Sequence, residues 1–234
     1  MGAPSWVVHP HGALERVSDN LWRVEGDLPL LPLKRVMIVV RMRDGRLVLH
    51  GAMALADEAM KKLEALGEPA VLLVPSRYHR MDAPRFAHRY PKMKVYVPRG
   101  SRGPVEDVVR VDGTYEDFEG DASVRLEPVH GIAHREGVVR VVSEDGTTLV
   151  FNDILFNMPH PPGPGGVVTR VLGSSGGPRV SRTGRIGLLR DPRALARRFV
   201  ALASTPDLVR VAVAHHETIS NEPAEALRRV AMTL

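Results

Sequence analysis

Apolar runs of strand length, separated by turn residues, dominate the first fifty residues. The segments "LWRVEGDL" and "RVMIVVRM" predict strands, and Asp44-Gly45 between two apolar runs predicts a tight hairpin. Residues 54–66 instead carry leucine and alanine at helical spacing, and Gly67 follows as a stop signal. The chain is therefore expected to begin with an antiparallel meander followed by a helix.

A buried strand, a loop, a helix and another strand are predicted next. The segment "AVLLVP" is too short for a helix and apolar on both faces, so it predicts a buried strand that leads into a loop at residues 76–82. The segment "APRFAHRY" predicts a helix, and "KVYVP" predicts the strand after it.

The second half of the chain repeats this alternation. Short strands are predicted at "VEDVVRV" and "SVRLEPVH", and a second hairpin at "GVVRVVSEDGTTLVFND". A connector loop at residues 159–166 and a Gly/Ser-rich basic segment up to residue 190 follow. The pattern then predicts a helix at 192–203, a strand at 208–213 and a final helix from about residue 222.

Two β-sheets flanked by helices fit this order better than one parallel sheet, because both predicted hairpins are antiparallel. We therefore expect a single α/β domain over residues 1–234, with about residues 1–18 as a flexible N-terminal arm. The length and the 44% hydrophobic content suffice for one large domain.

Composition narrows the chemistry. The chain has no cysteine, so disulfides, thiolate ligands and a cysteine nucleophile are excluded, and any metal must bind His, Asp or Glu. No run of about 18 apolar residues and no secretory signal is found, so we expect a soluble, cytoplasmic protein with no membrane partner. The 32 basic against 27 acidic residues are a modest, arginine-dominated excess that does not favour nucleic acid. Whether the chain forms a homo-oligomer is left open by the sequence.

Histidines recur where predicted strands end. Loops that leave the carboxyl ends of strands converge on ligand crevices in α/β folds, so these groups are expected to meet in space. Imidazole and carboxylate ligands suit Zn, Fe or Mn, and a metal with an open position activates water for hydrolysis. The alternative is that each histidine only satisfies its own loop. The residues in question are His50, His79, His130, His134, Asp153, His215 and His216.

The order of these segments resembles the metallo-β-lactamase-fold superfamily of hydrolases. The segments that carry the resemblance are "VLLVPSRYHRMD", "HREG" before a hairpin, "LVFNDILF", and "VAVAHH" after a strand. They correspond to that superfamily's T-H-x-H-x-D-H loop, G-H-x-x-G segment, G-D-x-L-F turn and terminal histidine. The chain is most similar to an uncharacterised branch, a domain of unknown function. The resemblance implies a four-layer αββα sandwich over residues 20–220.

The resemblance also implies a ligand set. His79 matches the second histidine of the first loop, Asp153 the bridging carboxylate, and His215 or His216 the last ligand. His134 matches the histidine of the G-H-x-x-G segment, although the choice between it and His130 stays open. One divalent metal, zinc before iron or manganese, would be the cofactor.

The first loop departs from the superfamily pattern. Arg77 stands at the first histidine, Met81 at the aspartate and Asp82 at the last histidine, so a full two-metal site cannot form. A guanidinium about 4 Å from a cation would cost roughly 4 kcal/mol per unit of metal charge at an effective dielectric near 20. Either Arg77 points away, or the metal is weak or absent, or Arg77 holds an anionic substrate.

Two functions follow from these residues. The first is a metal-dependent hydrolase of a small, anionic substrate, in which Asp82 orients a ligand or acts as base and Arg77 holds the substrate. The second is a binding protein of the same fold that has lost its metal, with Arg77 paired to Asp82 or Asp153. The basic segment 170–190 is either a mobile flap over the substrate or a solvated loop. A serine nucleophile is disfavoured because no G-x-S-x-G elbow occurs.

Overall fold

The structure, a computed structural model, describes residues 4–29 and 33–234. Its strands are β1 (Glu15–Arg16), β2 (Leu21–Asp27), β3 (Lys34–Arg41), β4 (Arg46–His50), β5 (Glu68–Leu73), β6 (Lys94–Val97), β7 (Gly113–Thr114), β8 (Val124–Pro128), β9 (Gly137–Ser143), β10 (Gly146–Phe151), β11 (Phe156–Met158), β12 (Gly177–Arg179) and β13 (Leu208–Val213). Its helices are α1 (Asp57–Glu64), α2 (Ala83–Arg89), α3 (Arg102–Glu106), α4 (Gly163–Val171), α5 (Arg182–Gly187), α6 (Pro192–Ala203) and α7 (Pro223–Met232).

The first sheet has seven strands, in the order β1-β2-β3-β4-β5-β6-β7. Strands β1 to β4 pair antiparallel, and β4 to β7 pair parallel. The predicted hairpin at Asp44-Gly45 joins β3 to β4, and Gly45 adopts φ 86°, a conformation that glycine reaches without steric cost. Helices α1 and α2 form the crossovers that parallel strands require.

The second sheet has the order β13-β10-β9-β8. The second predicted hairpin joins β9 to β10, and β13 adds to β10 as a parallel neighbour. The two sheets touch where Val36 N of β3 donates to Ala214 O at 2.8 Å, just after β13. Strands β11 and β12 form a separate two-stranded pair beside this junction.

Three apolar layers hold the molecule together. Between the sheets, alternate side chains of the first sheet face those of the second, including Ile38, Val48, Leu73, Val139 and Val150. The outer face of the first sheet packs on α1 and α2, and that of the second on α6 and α7. Each buried leucine or phenylalanine contributes roughly 1.5–3 kcal/mol. The predicted four-layer αββα sandwich is confirmed.

Two predicted segments take a different form. Residues 105–111, predicted as a strand, instead form the end of helix α3 and the turn after it, because Val105 and Val109 lie four apart and both enter the first core. The stretch from residue 159 to 190, predicted as irregular, contains α4, β12 and α5. Pro164 is tolerated in the first turn of α4, and Ser181 caps α5 by accepting from Gly184 N at 3.0 Å.

Two residues of the N-terminal segment, Trp6 and Leu14, pack against the first core. The Trp6 ring lies 5.1 Å from the Phe86 ring, and its Nε1 donates to Leu55 O at 2.9 Å. A partly buried indole whose N–H has an acceptor anchors the residues around it. Among the described residues, no helix has the length and apolar character needed to cross a membrane.

Candidate metal centre

Three loops that follow strand ends meet at the junction of the two sheets. The loop after β5 carries His79, the turn after β10 carries Asp153, and the residues after β13 begin with Ala214 and His215. Parallel strands direct their carboxyl ends to one edge, and β5, β10 and β13 all end there. The convergence that the sequence predicted is therefore present for these three loops.

Asp153 lies at the centre of the cluster. Its Oδ1 is 2.9 Å from His79 Nε2 and 3.0 Å from His215 Nε2, while Ser76 Oγ donates to Oδ2 at 3.3 Å. One ligand atom from each of the three candidate ligands lies within 4.8 Å of the others. Two imidazoles and a carboxylate at this separation are a donor set that suits zinc.

His215 is held in one orientation. Its Nδ1 lies 2.7 Å from Lys34 O, and because a carbonyl only accepts, Nδ1 carries the proton of the neutral ring. The Phe156 ring stacks on it at 5.1 Å with an interplanar angle of 13°. Nε2 is thereby directed at Asp153 with its lone pair available once the ring is neutral. A backbone carbonyl commonly fixes metal-binding histidines in this way.

The charges of the cluster reinforce one another. Burial alone would raise the pKa of Asp153, but the two imidazoles more than offset burial and hold that pKa well below its usual range. Burial alone would lower the pKa of His215, whereas the hydrogen bond and charge of Asp153 raise it above the ordinary value. Without a metal, the pair is therefore stabilised as carboxylate and imidazolium.

His50 lies buried behind this cluster at the end of β4. Both of its ring nitrogens are buried and have no partner among the described residues. Desolvation and, secondarily, the His79 charge lower the pKa of His50 to about 3. The ring is consequently neutral in the folded chain across the physiological range.

This depressed pKa predicts an acid-sensitive stability. The unfolded chain binds a proton at His50 near pH 6.5 and the folded chain only near about pH 3, so stability is present above pH 6.5 and is lost as pH falls. Between about pH 7.5 and about pH 5, the free energy of unfolding should fall by about 2 kcal/mol more in the wild type than in His50→Leu. Urea unfolding at the two pH values measures this difference.

The matched control for this comparison is His88→Gln, since His88 is exposed on α2 and meets solvent in both states. It should keep the pH dependence of the wild type. An equal loss of stability on acidification in the wild type and in His50→Leu would contradict the assignment of the acid sensitivity to His50.

Glu136 is a further buried acid that the sequence did not single out. Its Oε2 accepts from Ile154 N at 2.9 Å and its Oε1 from Asn152 Nδ2 at 3.3 Å, so it fixes the turn that carries Asp153. Burial and the nearby Asp153 charge raise the pKa of Glu136 well above its usual value. The only feature of the sequence that could have identified this residue was its position directly before β9.

The structure does not bring His134 to the cluster. Ala133 and His134 adopt left-handed φ values of 54° and 53°, which turns His134 to an exposed position while Ile132 and Glu136 face the interior. His134 lines a separate crevice of about 30 Å³. His130 is also exposed.

The remaining predicted site residues lie at the margin or beneath the site. His216 is half-buried with φ 67°, outside the three-residue ligand cluster. Arg77 is exposed, its guanidinium lies over the Tyr78 ring at 5.5 Å, and it is not among the residues that line the cavity. Asp82 is fully buried and forms ion pairs with Arg35 and Arg85. The predicted pairing of Arg77 with Asp82 or Asp153 is not observed among the described residues.

A cavity of about 510 Å³ opens onto the cluster. His79, Asp153 and His215 contribute to its wall, and Arg35 does too. Most of the remaining wall is apolar, including Leu28, Pro29, Leu33, Met81, Phe156 and Leu188. A cavity of this size with few polar groups suits a small molecule. The segment predicted as a flap contributes Thr183, Gly184, Gly187 and Leu188 from α5 and its end.

Comparison with known proteins identifies the fold. The sequence matches no protein-family model and no curated protein sequence. A crystal structure of the DIM-1 metallo-β-lactamase exposed to ceftazidime has a TM-score of 0.66 at 12% identity, over 97% of this chain and 99% of the other. A second DIM-1 structure and one of TMB-1 both give 0.63 at 12% identity, with the same coverage. The chain has the metallo-β-lactamase fold.

Proposed function

We propose that the chain is a metal-dependent hydrolase with a mononuclear site made by His79, Asp153 and His215. The observation that carries this proposal is the meeting of their ligand atoms within 4.8 Å at the wall of a 510 Å³ cavity. The substrate would be a small molecule bound in that cavity. Zinc is the preferred ion, and iron or manganese would accept the same ligands.

The donor set fits a catalytic rather than a purely structural ion. Two histidines and one carboxylate leave a coordination position open, as catalytic zinc sites do. A bound divalent ion would supply Lewis acidity and lower the pKa of a coordinated water. The chain itself contributes orientation, since Lys34 O fixes the ring of His215 and Ser76 Oγ holds the second oxygen of Asp153.

The neighbouring structures support hydrolysis as the class of reaction, because they are named metallo-β-lactamases. Their identity of 12% does not extend to the substrate. One fold hosts many reactions, so β-lactam cleavage is not part of the proposal.

A metal-free binding protein is the second candidate. It is favoured by the direct hydrogen bonds of 2.9 and 3.0 Å from His79 and His215 to Asp153, which satisfy the cluster without an ion. The cavity would then bind a ligand without transforming it. The metal content of the protein separates the two candidates.

Protein purified without chelator and dialysed against zinc is expected to retain about one ion per chain by elemental analysis. Its melting temperature should rise with zinc and return to the starting value with chelator, because an ion that binds only the folded state stabilises it. His215→Ala should lose this rise. His134→Ala should keep it, since His134 lies in another crevice.

A chain that contains no metal, and whose melting temperature responds to neither zinc nor chelator, would leave the binding protein as the function. Loss of the zinc response in His134→Ala but not in His215→Ala would contradict the proposed ligand set.

A further inference from the structure

Arg35 is a buried arginine in the wall of the cavity. It lies in β3, only 7% of its surface is exposed, and it lines the cavity together with the metal-centre residues. Its Nη1 donates to Asp82 Oδ2 at 2.7 Å. Its Nε and Nη2 are buried and have no hydrogen-bond partner among the described residues. Buried donors without partners are costly, so these two nitrogens require an explanation.

The two unpartnered nitrogens belong to one edge of the guanidinium. Nε and Nη2 direct their N–H bonds in parallel, on the opposite side from the Nη1 group that binds Asp82. This spacing matches the two oxygens of a carboxylate, which accepts two parallel hydrogen bonds from arginine. Arg35, a residue of the cavity wall, therefore holds an unused bidentate donor.

The charge balance around Arg35 also favours an anion. Asp82 is shared between Arg35 and Arg85, and its side chain is completely buried. One carboxylate against two guanidinium groups leaves one positive charge. Among the described residues that line the cavity, Arg35 is the one arginine or lysine, so a ligand with a single negative charge would match it.

We propose that the ligand of this cavity is a small monocarboxylate with an apolar body, and that Arg35 binds its carboxylate through Nε and Nη2. The apolar body would lie against Leu28, Phe156 and Leu188. The identity of this ligand as a substrate rests on the proposed hydrolase function, whereas its binding does not require a metal. Arg35 thus takes the anion-binding role that the sequence suggested for Arg77.

The test compares an acid with its neutral amide on the metal-free protein. Calorimetry should measure the binding of 4-phenylbutyrate and of 4-phenylbutanamide in chelator at neutral pH. We expect the wild type to bind the acid at least ~10-fold more tightly, since a charge-assisted bidentate pair is among the stronger hydrogen bonds. In Arg35→Lys, which keeps a cation beside Asp82 but removes the fork, the preference should fall below ~3-fold.

Two further variants complete the test. Arg210→Lys is the control, because Arg210 forms a bidentate pair with Asp145 at 2.6 and 2.8 Å in the second sheet, away from the cavity. It should keep the preference of the wild type. Arg77→Gln tests the alternative anchor, and it should also keep the preference. Melting temperatures check that each variant is folded.

Equal affinity for acid and amide in the folded wild type would overturn the inference, and so would a preference that persists in Arg35→Lys or disappears in Arg77→Gln. Because every measurement is made without metal, failure of zinc to bind would leave the result unaffected. Conversely, a chain that binds zinc at His79, Asp153 and His215 but shows no preference for the acid would overturn only the role of Arg35.

Discussion

Replacing Asp153 with asparagine is expected to lower the zinc affinity of the chain more than ~100-fold. Loss of a partner outside the ligand shell already costs ten- to hundredfold in metal affinity, and Asp153 is a proposed ligand itself. It is also the residue that both imidazoles contact, at 2.9 and 3.0 Å. Asparagine keeps the size of the side chain but removes the negative charge that offsets the charge of the ion.

Competition with a zinc indicator at fixed neutral pH would measure this change. The matched control is Asp112→Asn, because Asp112 is a partly buried carboxylate that accepts from Val95 N at 3.0 Å in the first sheet, outside the cavity wall. The control should bind zinc as the wild type does. If Asp153→Asn retained wild-type affinity, the ion would be bound elsewhere and the proposed centre would be wrong.

Much of the fold could be predicted because its signals are local. Turn residues such as Asp44-Gly45 determine a hairpin within four positions. The order of apolar runs then restricts how the strands can be arranged in the sheets. The helix predicted at residues 192–203 has these bounds in the structure, since Asp191 caps it by accepting from Ala194 N and Pro192 begins it. The ends of strands can also be predicted from local signals, and each of these three residues follows a strand end. The structure brings them together: His79, Asp153 and His215.

The direction of a side chain on a loop, by contrast, cannot be predicted from the neighbouring residues alone. His134 matched a ligand position by spacing, yet the left-handed residues Ala133 and His134 direct it outward and leave Glu136 inside. Left-handed backbone at alanine is uncommon and has no simple sequence signal. The packing of Ile132 in the second core decides the direction of this loop, and that packing depends on distant residues.

The sequence also could not predict which residues, distant along the chain, form ion pairs with one another. The sequence analysis suggested Arg77 as a partner of Asp82, five positions away, but Asp82 pairs with Arg35, 47 positions away, and with Arg85 in the helix that follows it. A buried carboxylate must be compensated wherever the fold places a cation, and adjacency along the chain does not determine this. Arg77 is exposed and solvated, which weakens its electrostatic effect on a metal at His79.

Replacing Asp82 with asparagine is expected to destabilise the folded chain by about 3–5 kcal/mol, the cost of leaving a buried charge without its partner. Both carboxylate oxygens of Asp82 are occupied by arginines, and its side chain has no exposed surface. Asparagine would leave Arg35 and Arg85 facing each other without a compensating charge. Urea unfolding of the metal-free proteins measures the change in the free energy of unfolding.

The control for this substitution is Asp27→Asn. Asp27 pairs with Lys34, but the two side chains are 46% and 45% exposed, so the change should stay below ~1 kcal/mol. A second comparison separates charge from packing, because replacing both members of a buried pair with apolar residues is often neutral. The triple variant Asp82→Leu with Arg35→Met and Arg85→Met removes the whole ionic group and should therefore recover most of the lost stability while abolishing the preference for a carboxylate ligand. A loss below ~1 kcal/mol in Asp82→Asn would mean that water reaches this ion pair, which would contradict the burial of Arg35 and Asp82.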